Sequence, residues 1–243
     1  MSEPLIVFPG FSVDNHIENN PSAKNKKVIL GPGIRRDVDD VRAIKCGILR
    51  SRLVNNDTQI LYWIDSHQKR YVAVRGERVI GIVVGKGSLT VNVDIGTNET
   101  ASLSLLAFES ATKRNRPNVQ LGDIIFARIL SASKDVRTEL TCVTSRLKKD
   151  GLGVLPPNGF MINVPLRVCR RLLSTDNKII ETLGSKFKFE ITIGLNGRLW
   201  VRSSSVSKTI YIINVLMSIE DKNIEQIEKL SQEISQKFEL TAR

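Results

Sequence analysis

The stretch Val79-Ile80-Gly81-Ile82-Val83-Val84-Gly85-Lys86-Gly87-Ser88-Leu89-Thr90-Val91-Asn92-Val93-Asp94-Ile95 decides the fold. Its first part is an apolar run cut by glycines. After Lys86-Gly87 the pattern alternates: Leu89, Val91, Val93 and Ile95 fall on one face and polar residues on the other. A period of two is what a half-buried strand requires. Working outward, a third strand is expected at Ala101–Leu106 after a turn around Gly96, and two more at Asp123–Leu130 and Arg137–Val143. Five short strands separated by glycine and polar clusters predict a small closed β-barrel of the OB type. Between the third and fourth strands lies Lys113-Arg114-Asn115-Arg116-Pro117, three cations in four residues. Exposed cations on the rim of such a barrel offset phosphate charge and release counterions from a nucleic acid.

Upstream, Leu5–Phe8, Lys26–Leu30, Ala43–Leu53 and Gln59–Ile64 read as strands, with turns at Gly31-Pro32-Gly33 and Asn55-Asn56-Asp57. Downstream of a polar connector, Phe160–Asn163 is a short strand. Pro165 suits the first turn of a helix that Asn163 is placed to cap. That helix has an apolar face of Val168, Leu172 and Leu173 and a basic face of Arg167, Arg170 and Arg171. A second helix is expected over Lys178–Leu183, stopped by Gly184. Phe187–Ile193 and Arg198–Arg202 are strands around the turn Gly194-Leu195-Asn196-Gly197, and a helix follows over Val206–Ser218. Strand, helix, helix, strand, strand, helix is the order of a K-homology (KH) domain. The expected division is an N-terminal β domain over 1–66, an S1-type OB barrel over 67–146 and a KH domain over 147–243. Ile224, Ile227, Leu230, Ile234 and Phe238 give the last segment the spacing of an amphipathic helix packed on its own domain.

The chain has 243 residues, 41% hydrophobic and 25% charged, with a net charge of +11. The segment Glu220–Arg243 is net −2, so the remainder carries +13 and the basic surface belongs to the folded core. That balance suits a polyanionic partner. Apolar runs stop at about seven residues, against the roughly twenty needed to span a bilayer, so no membrane partner is expected. The opening Met1-Ser2-Glu3-Pro4 does not have the pattern of a secretory signal. Three widely spaced cysteines, Cys46, Cys142 and Cys169, make neither a disulfide framework nor a metal knuckle. A reducing compartment fits.

Lys113, Arg114 and Arg116 are the leading candidates for RNA contact. Arg75 and Arg128, with Arg70 and Arg78, are weaker ones that also suit ordinary surface. Trp63 and Tyr71 read as core rather than as base-stacking platforms. RNA-clamping KH domains carry Gly-x-x-Gly between their first two helices. Here that junction reads Ser174-Thr175-Asp176-Asn177, so the clamp is absent and the unit is expected to pack or dock. Gly194, Asn196 and Gly197 form a structural turn whose glycines are expected to need positive φ. Neither His16 nor His67 has a nucleophilic or metal-binding neighbourhood, and no phosphate loop is present. No catalytic residue, metal or cofactor is therefore expected.

Several quoted elements occur together in order: Phe8-Pro9-Gly10, Leu30-Gly31-Pro32-Gly33-Ile34, Lys69-Arg70-Tyr71, Val79-Ile80-Gly81, Lys113-x-Asn115-Arg116-Pro117, Gly122-Asp123 and Ile193–Val201. As a set they resemble the S1/KH cap subunits of the eukaryotic RNA exosome, of the exosome component 3 type. The resemblance covers nearly the whole chain, except residues 11–26 and those after about 220. It implies a subunit without nuclease activity, seated with other cap subunits on a ring of RNase PH-fold subunits. Such a subunit leads single-stranded RNA to the channel for 3′-to-5′ processing and degradation. The implied location is nucleus, nucleolus and cytoplasm. The alternatives are a different S1/KH exosome cap component, a free-standing RNA-processing enzyme, or a scaffold whose basic surface meets acidic protein.

Overall fold

The computed structural model describes residues 5–19, 26–37, 40–54, 58–133, 135–144, 146, 148–174 and 179–219. The chain divides into two compact units, residues 1–68 and 69–243.

The first unit holds β1 (Ile6–Val7), α1 (Asp14–Glu18), β2 (Lys27–Leu30), β3 (Ile34–Arg36), β4 (Val41–Ala43), β5 (Gly47–Val54) and β6 (Gln59–Asp65). One sheet runs β1-β5-β6-β2, with β2 parallel to β6, and β3 pairs with β4 in a small second sheet. Val7, Val13, Ile60, Tyr62 and Ile64 are buried between them. The single strand expected over Ala43–Leu53 is two. The Ala43 N–H bonds the Phe11 carbonyl and the Ile44 N–H bonds that of Gly33, which turns the chain before β5 begins. Gly33 takes φ +90°, and a Cβ there would lie 2.8 Å from the Cβ of Ile64, so the turn admits only glycine comfortably.

The second unit opens with β7 (Arg78–Lys86), β8 (Thr90–Asp94), β9 (Ala101–Ser104), β10 (Ile124–Ser131), β11 (Glu139–Thr141) and β12 (Gly153–Val154). The hydrogen-bonded order β7-β8-β9-β11-β10-β7 closes a five-stranded barrel, antiparallel except for β9 beside β11, and β12 adds to β10. Closure leaves no open edge on the barrel proper. Val91, Val93 and Ile95 fill its interior with Val79, Ile80, Leu103, Ile125 and Ile129. Leu89 departs from the expected inward face. It lies in the β7–β8 turn and is 49% exposed, because β8 starts only at Thr90.

The KH part follows as β13 (Phe160–Asn163), α2 (Leu166–Leu172), α3 (Ile179–Lys186), β14 (Phe189–Gly194), β15 (Arg198–Ser203) and α4 (Val206–Met217). Its antiparallel sheet has the order β13-β15-β14. Leu172, Leu183, Leu199, Val201, Ile212 and Leu216 form its core. Two local expectations need correction. Asn163 ends β13 rather than capping α2, which starts behind an extended Pro165 with no side-chain cap. Gly184 lies inside α3 rather than stopping it, since the helix runs on to Lys186. Burial of Ile179 and Leu183 on one face outweighs the poor helix propensity of a single glycine, about 1 kcal/mol. Ser205 caps α4 through the Lys208 N–H. The amphipathic segment expected after Glu220 lies outside the described residues, as does most of the α2–α3 junction.

Candidate nucleic-acid interface

The loop after β9 is built by short bonds. The Thr112 N–H bonds the Asn115 carbonyl, and the Asn115 N–H bonds the Thr112 hydroxyl. Arg116 then donates from Nε to the Lys113 carbonyl at 3.2 Å and from Nη1 to the Ser88 carbonyl at 2.8 Å. The three candidates therefore do different things. Lys113 and Arg114 are exposed, and their side chains have no partner among the described residues. Arg116 is a brace that ties the loop to the β7–β8 turn, although it too is exposed. The same bond brings the loop to the rim that carries Lys86, an exposed cation at the end of β7. In the sequence Gly85-Lys86-Gly87 has the composition of a hairpin turn. The positive charge flanked by glycines was the signal available for it.

Arg75 and Arg128 lie at the other end of β7. Arg78 pairs with Arg128 across the β7–β10 ladder, and the Arg128 Nε donates to the Gly76 carbonyl at 3.2 Å. Arg78 is engaged with Asp150 at 2.8 Å. The structure thus brings Arg75 and Arg128 together but separates them from the loop 113–116. Tyr71 packs on the barrel core and donates to Glu77 at 2.5 Å, which agrees with its reading as core. Burial, then the Glu77 hydrogen bond and charge, push its phenol well above its ordinary value.

The turn Gly194–Gly197 is a joint between barrel and KH sheet. The Asn196 amide, 8% exposed, donates to the Ile80 and Ile95 carbonyls, both at 2.8 Å, and accepts from the Ile80 N–H at 3.1 Å. Arg198 donates to the Asp94 carbonyl at 2.6 Å and to its carboxylate at 2.7 Å. Burial pushes the Asp94 carboxyl up, but the hydrogen bonds from Arg198 and from the Gly96 N–H, with the guanidinium charge, hold it below the ordinary value. Gly197 does take φ +81°. Gly194 does not have positive φ. It is glycine because a Cβ would meet the Asn196 side chain and come 2.8 Å from the Ile80 nitrogen. Trp200 of β15 lies in the barrel core, not the KH core, with Gly159 flat against its indole.

Three regions of the chain match known family models: residues 5–67 the N-terminal domain of the mammalian exosome complex component RRP40, 71–153 the S1 domain of the same component, and 159–207 a KH domain. Proteins named exosome complex component RRP40 are similar over most of their length. The human protein is 41% identical, covering 90% of this chain and 80% of its own. The Mus musculus protein is 44% identical, covering 82% and 73%, and the Saccharomyces cerevisiae protein 33%, covering 89% of each. The chain belongs to the RRP40 family of exosome complex components. A crystal structure of an exosome complex RNA-binding protein shares the fold, with a TM-score of 0.55 at 22% identity over 68% of this chain and 96% of that one.

Within this RRP40-family chain the S1 barrel presents two cationic sites, and the KH part is fused to it by buried polar bonds. Burial pushes the Cys142 thiol up to about 12 and the Cys169 thiol to about 11, far from the thiolate needed for nucleophilic work. Among the described residues no group of three or more His, Cys, Asp or Glu is placed to hold a metal. None of their helices is long and apolar enough to cross a membrane.

Proposed function

We propose that this chain is a non-catalytic, RNA-binding cap subunit of an RNA exosome. It sits with other cap subunits on a ring of RNase PH-fold subunits and helps lead single-stranded RNA into that ring. The observation that carries the reading is family membership across all three parts of the chain, joined to a barrel rim braced by Arg116, where the side chains of Lys86, Lys113 and Arg114 are exposed with no partner among the described residues. Those cations attract a phosphate backbone without reading its sequence, because the loop Lys113–Pro117 has no aromatic residue of its own to stack a base. Gly194, Asn196 and Gly197 serve the joint and not the RNA. The location we propose is nucleus, nucleolus and cytoplasm.

Two measurements test the reading. A pull-down at native salt, read by mass, should recover RNase PH-fold proteins and further S1/KH proteins; their absence sinks the assembly. The purified chain, incubated with end-labelled RNA with and without magnesium and with phosphate, should leave it intact. Turnover that survives repurification and follows this chain makes it an enzyme instead.

A further inference from the structure

Beside the Arg75–Gly76 turn is a recess of about 360 Å³, walled by Ile129, Leu130, Thr141, Val143 and Thr144 and by the side chain of Arg128. On the other side of the same turn a second hollow of about 680 Å³ crosses from the barrel onto the KH strand β14, over Phe126, Ile191, Ile193 and Leu195. The two share Arg75 and Gly76 and so adjoin, the second reaching the barrel–KH seam; the groove is the pair of them.

The charges in this groove are unevenly matched. Arg75 is exposed and has no hydrogen-bond or ion-pair partner among the described residues. Arg128 gives one N–H to the Gly76 carbonyl, which fixes its guanidinium while leaving its terminal amines without a partner among the described residues. The nearby acids are already engaged, Glu77 by the Tyr71 hydroxyl and Asp150 by Arg78. Two uncompensated guanidiniums, one of them positioned by backbone, fit a phosphate, which takes several N–H donors at once. The aliphatic wall beside them fits a ribose or the face of a base. The side-chain carboxylates in the lining, Glu77 and Asp150, are engaged, so the groove favours backbone contact over base reading.

We propose that this groove is a second subsite for single-stranded RNA, with one nucleotide phosphate on Arg75 and Arg128 and the strand continuing over the seam toward Ile191 and Ile193. The inference rests on the RNA-binding reading given above and adds a place to it. The groove opens at the start of β7 and the cationic loop is tied to its end. Nine residues of strand separate the two by roughly 25 Å. Four to sixteen nucleotides per OB fold is a common site size, so one strand can engage both.

The test uses the full chain and a fluorescent sixteen-nucleotide oligouridine, titrated by anisotropy across a salt series. Three variants are compared: Arg75→Glu, Arg75→Ala with Arg128→Ala, and Lys113→Ala with Arg114→Ala. Arg75→Glu replaces an exposed, unpartnered side chain, so its melting temperature should equal the parent's and its readout is free of folding effects. The arginine pair, which shares one phosphate, should flatten the slope of log K against log salt by about 0.7, and the lysine–arginine pair should flatten it independently. Oligomers carrying 4-thiouridine should crosslink to peptides containing Arg75–Arg78 or Val143–Thr144. If Arg75→Glu binds with the parent's affinity and slope while the loop variant is weakened, the groove is not an RNA subsite and the primary reading stands. If the parent chain binds no RNA at low salt, the RNA-binding reading falls, and the subsite with it.

Discussion

Asn196 closes three hydrogen bonds across a boundary between two folding motifs, and its neighbours are chosen to let it do so. Gly194 leaves room for its carbonyl oxygen, and Gly197 turns the chain back into β15 at φ +81°, where a Cβ would lie 2.7 Å from the Val164 carbonyl oxygen. Asn196→Ala strands the buried Ile95 carbonyl and the Ile80 N–H, and leaves the Ile80 carbonyl only a 3.4 Å bond from Arg198. Each such group costs about 1–3 kcal/mol, so a clear fall in melting temperature is expected. Gly197→Val adds strained backbone to a clash, with roughly 1–3 kcal/mol from the positive φ alone. Its RNA affinity should follow the loss of fold and nothing more. A variant with the parent's melting temperature but no RNA binding would restore the clamp role rejected for this turn. The cysteines give a second residue-scale test. Cys46 is exposed, while Cys142 and Cys169 are buried with raised pKa. Native protein treated with a maleimide at neutral pH should gain one adduct, on Cys46. Rapid labelling of either buried thiol means that its core opens.

At the scale of elements, the loop 112–117 and the β7–β8 hairpin act as one rim because Arg116 joins them. The sequence shows three equivalent cations; the fold makes two of them exposed side chains with no partner among the described residues and the third a brace. Lys113→Ala with Arg114→Ala should weaken different single-stranded sequences about equally and flatten the salt slope by about 1.4. Arg116→Ala should lower affinity with a smaller change in slope, and should speed amide exchange across residues 112–116. If Arg116→Ala flattens the slope as much as one direct phosphate contact, by about 0.7, with exchange unchanged, it touches RNA itself. If neither variant alters binding, the loop is a solvated charge run.

At the scale of the molecule, barrel and KH part are one body because their contact is built like a core. Trp200 fills the barrel from a KH strand, Asn196 makes three hydrogen bonds across the joint, and Arg198, with only 11% of its side chain exposed, holds Asp94. The Asp94 pair makes the joint sensitive to acid. A carboxyl whose folded pKa lies below its unfolded value stabilises fully above the unfolded value, and that stability is lost as pH falls through the folded one. The melting-temperature gap between parent and Asp94→Asn should therefore be widest near neutrality and should close in acid, below about pH 4. A gap that stays constant from pH 7 to pH 3 means that the carboxylate charge contributes nothing to the joint. Gly159→Ala tests the apolar half of the contact. Its methyl group would overlap the indole of Trp200, and such overpacking costs about 1–3 kcal/mol.

The sequence by itself determined the barrel, the KH order and the basic rim. Each of these rests on local signals: alternation over Val91–Ile95, glycines at turns, and a run of charge. A strand with one wet face has to alternate, so its pattern is visible in one dimension. The tertiary structure alone decided which cations are free. Arg116 and Arg114 are two residues apart and look alike in sequence, yet one is bound to Ser88, twenty-eight positions away, and the other is not. Arg75 and Arg128 face one recess although fifty-three positions separate them. Likewise Asn196 looked like an ordinary turn residue and proved to be the polar joint, because its partners, Ile80 and Ile95, lie more than a hundred positions earlier. Backbone carbonyls have no sequence signature, since every residue carries one. What a guanidinium or an amide bonds to is set by where the chain returns, and only the closed barrel with the KH sheet against it settles that.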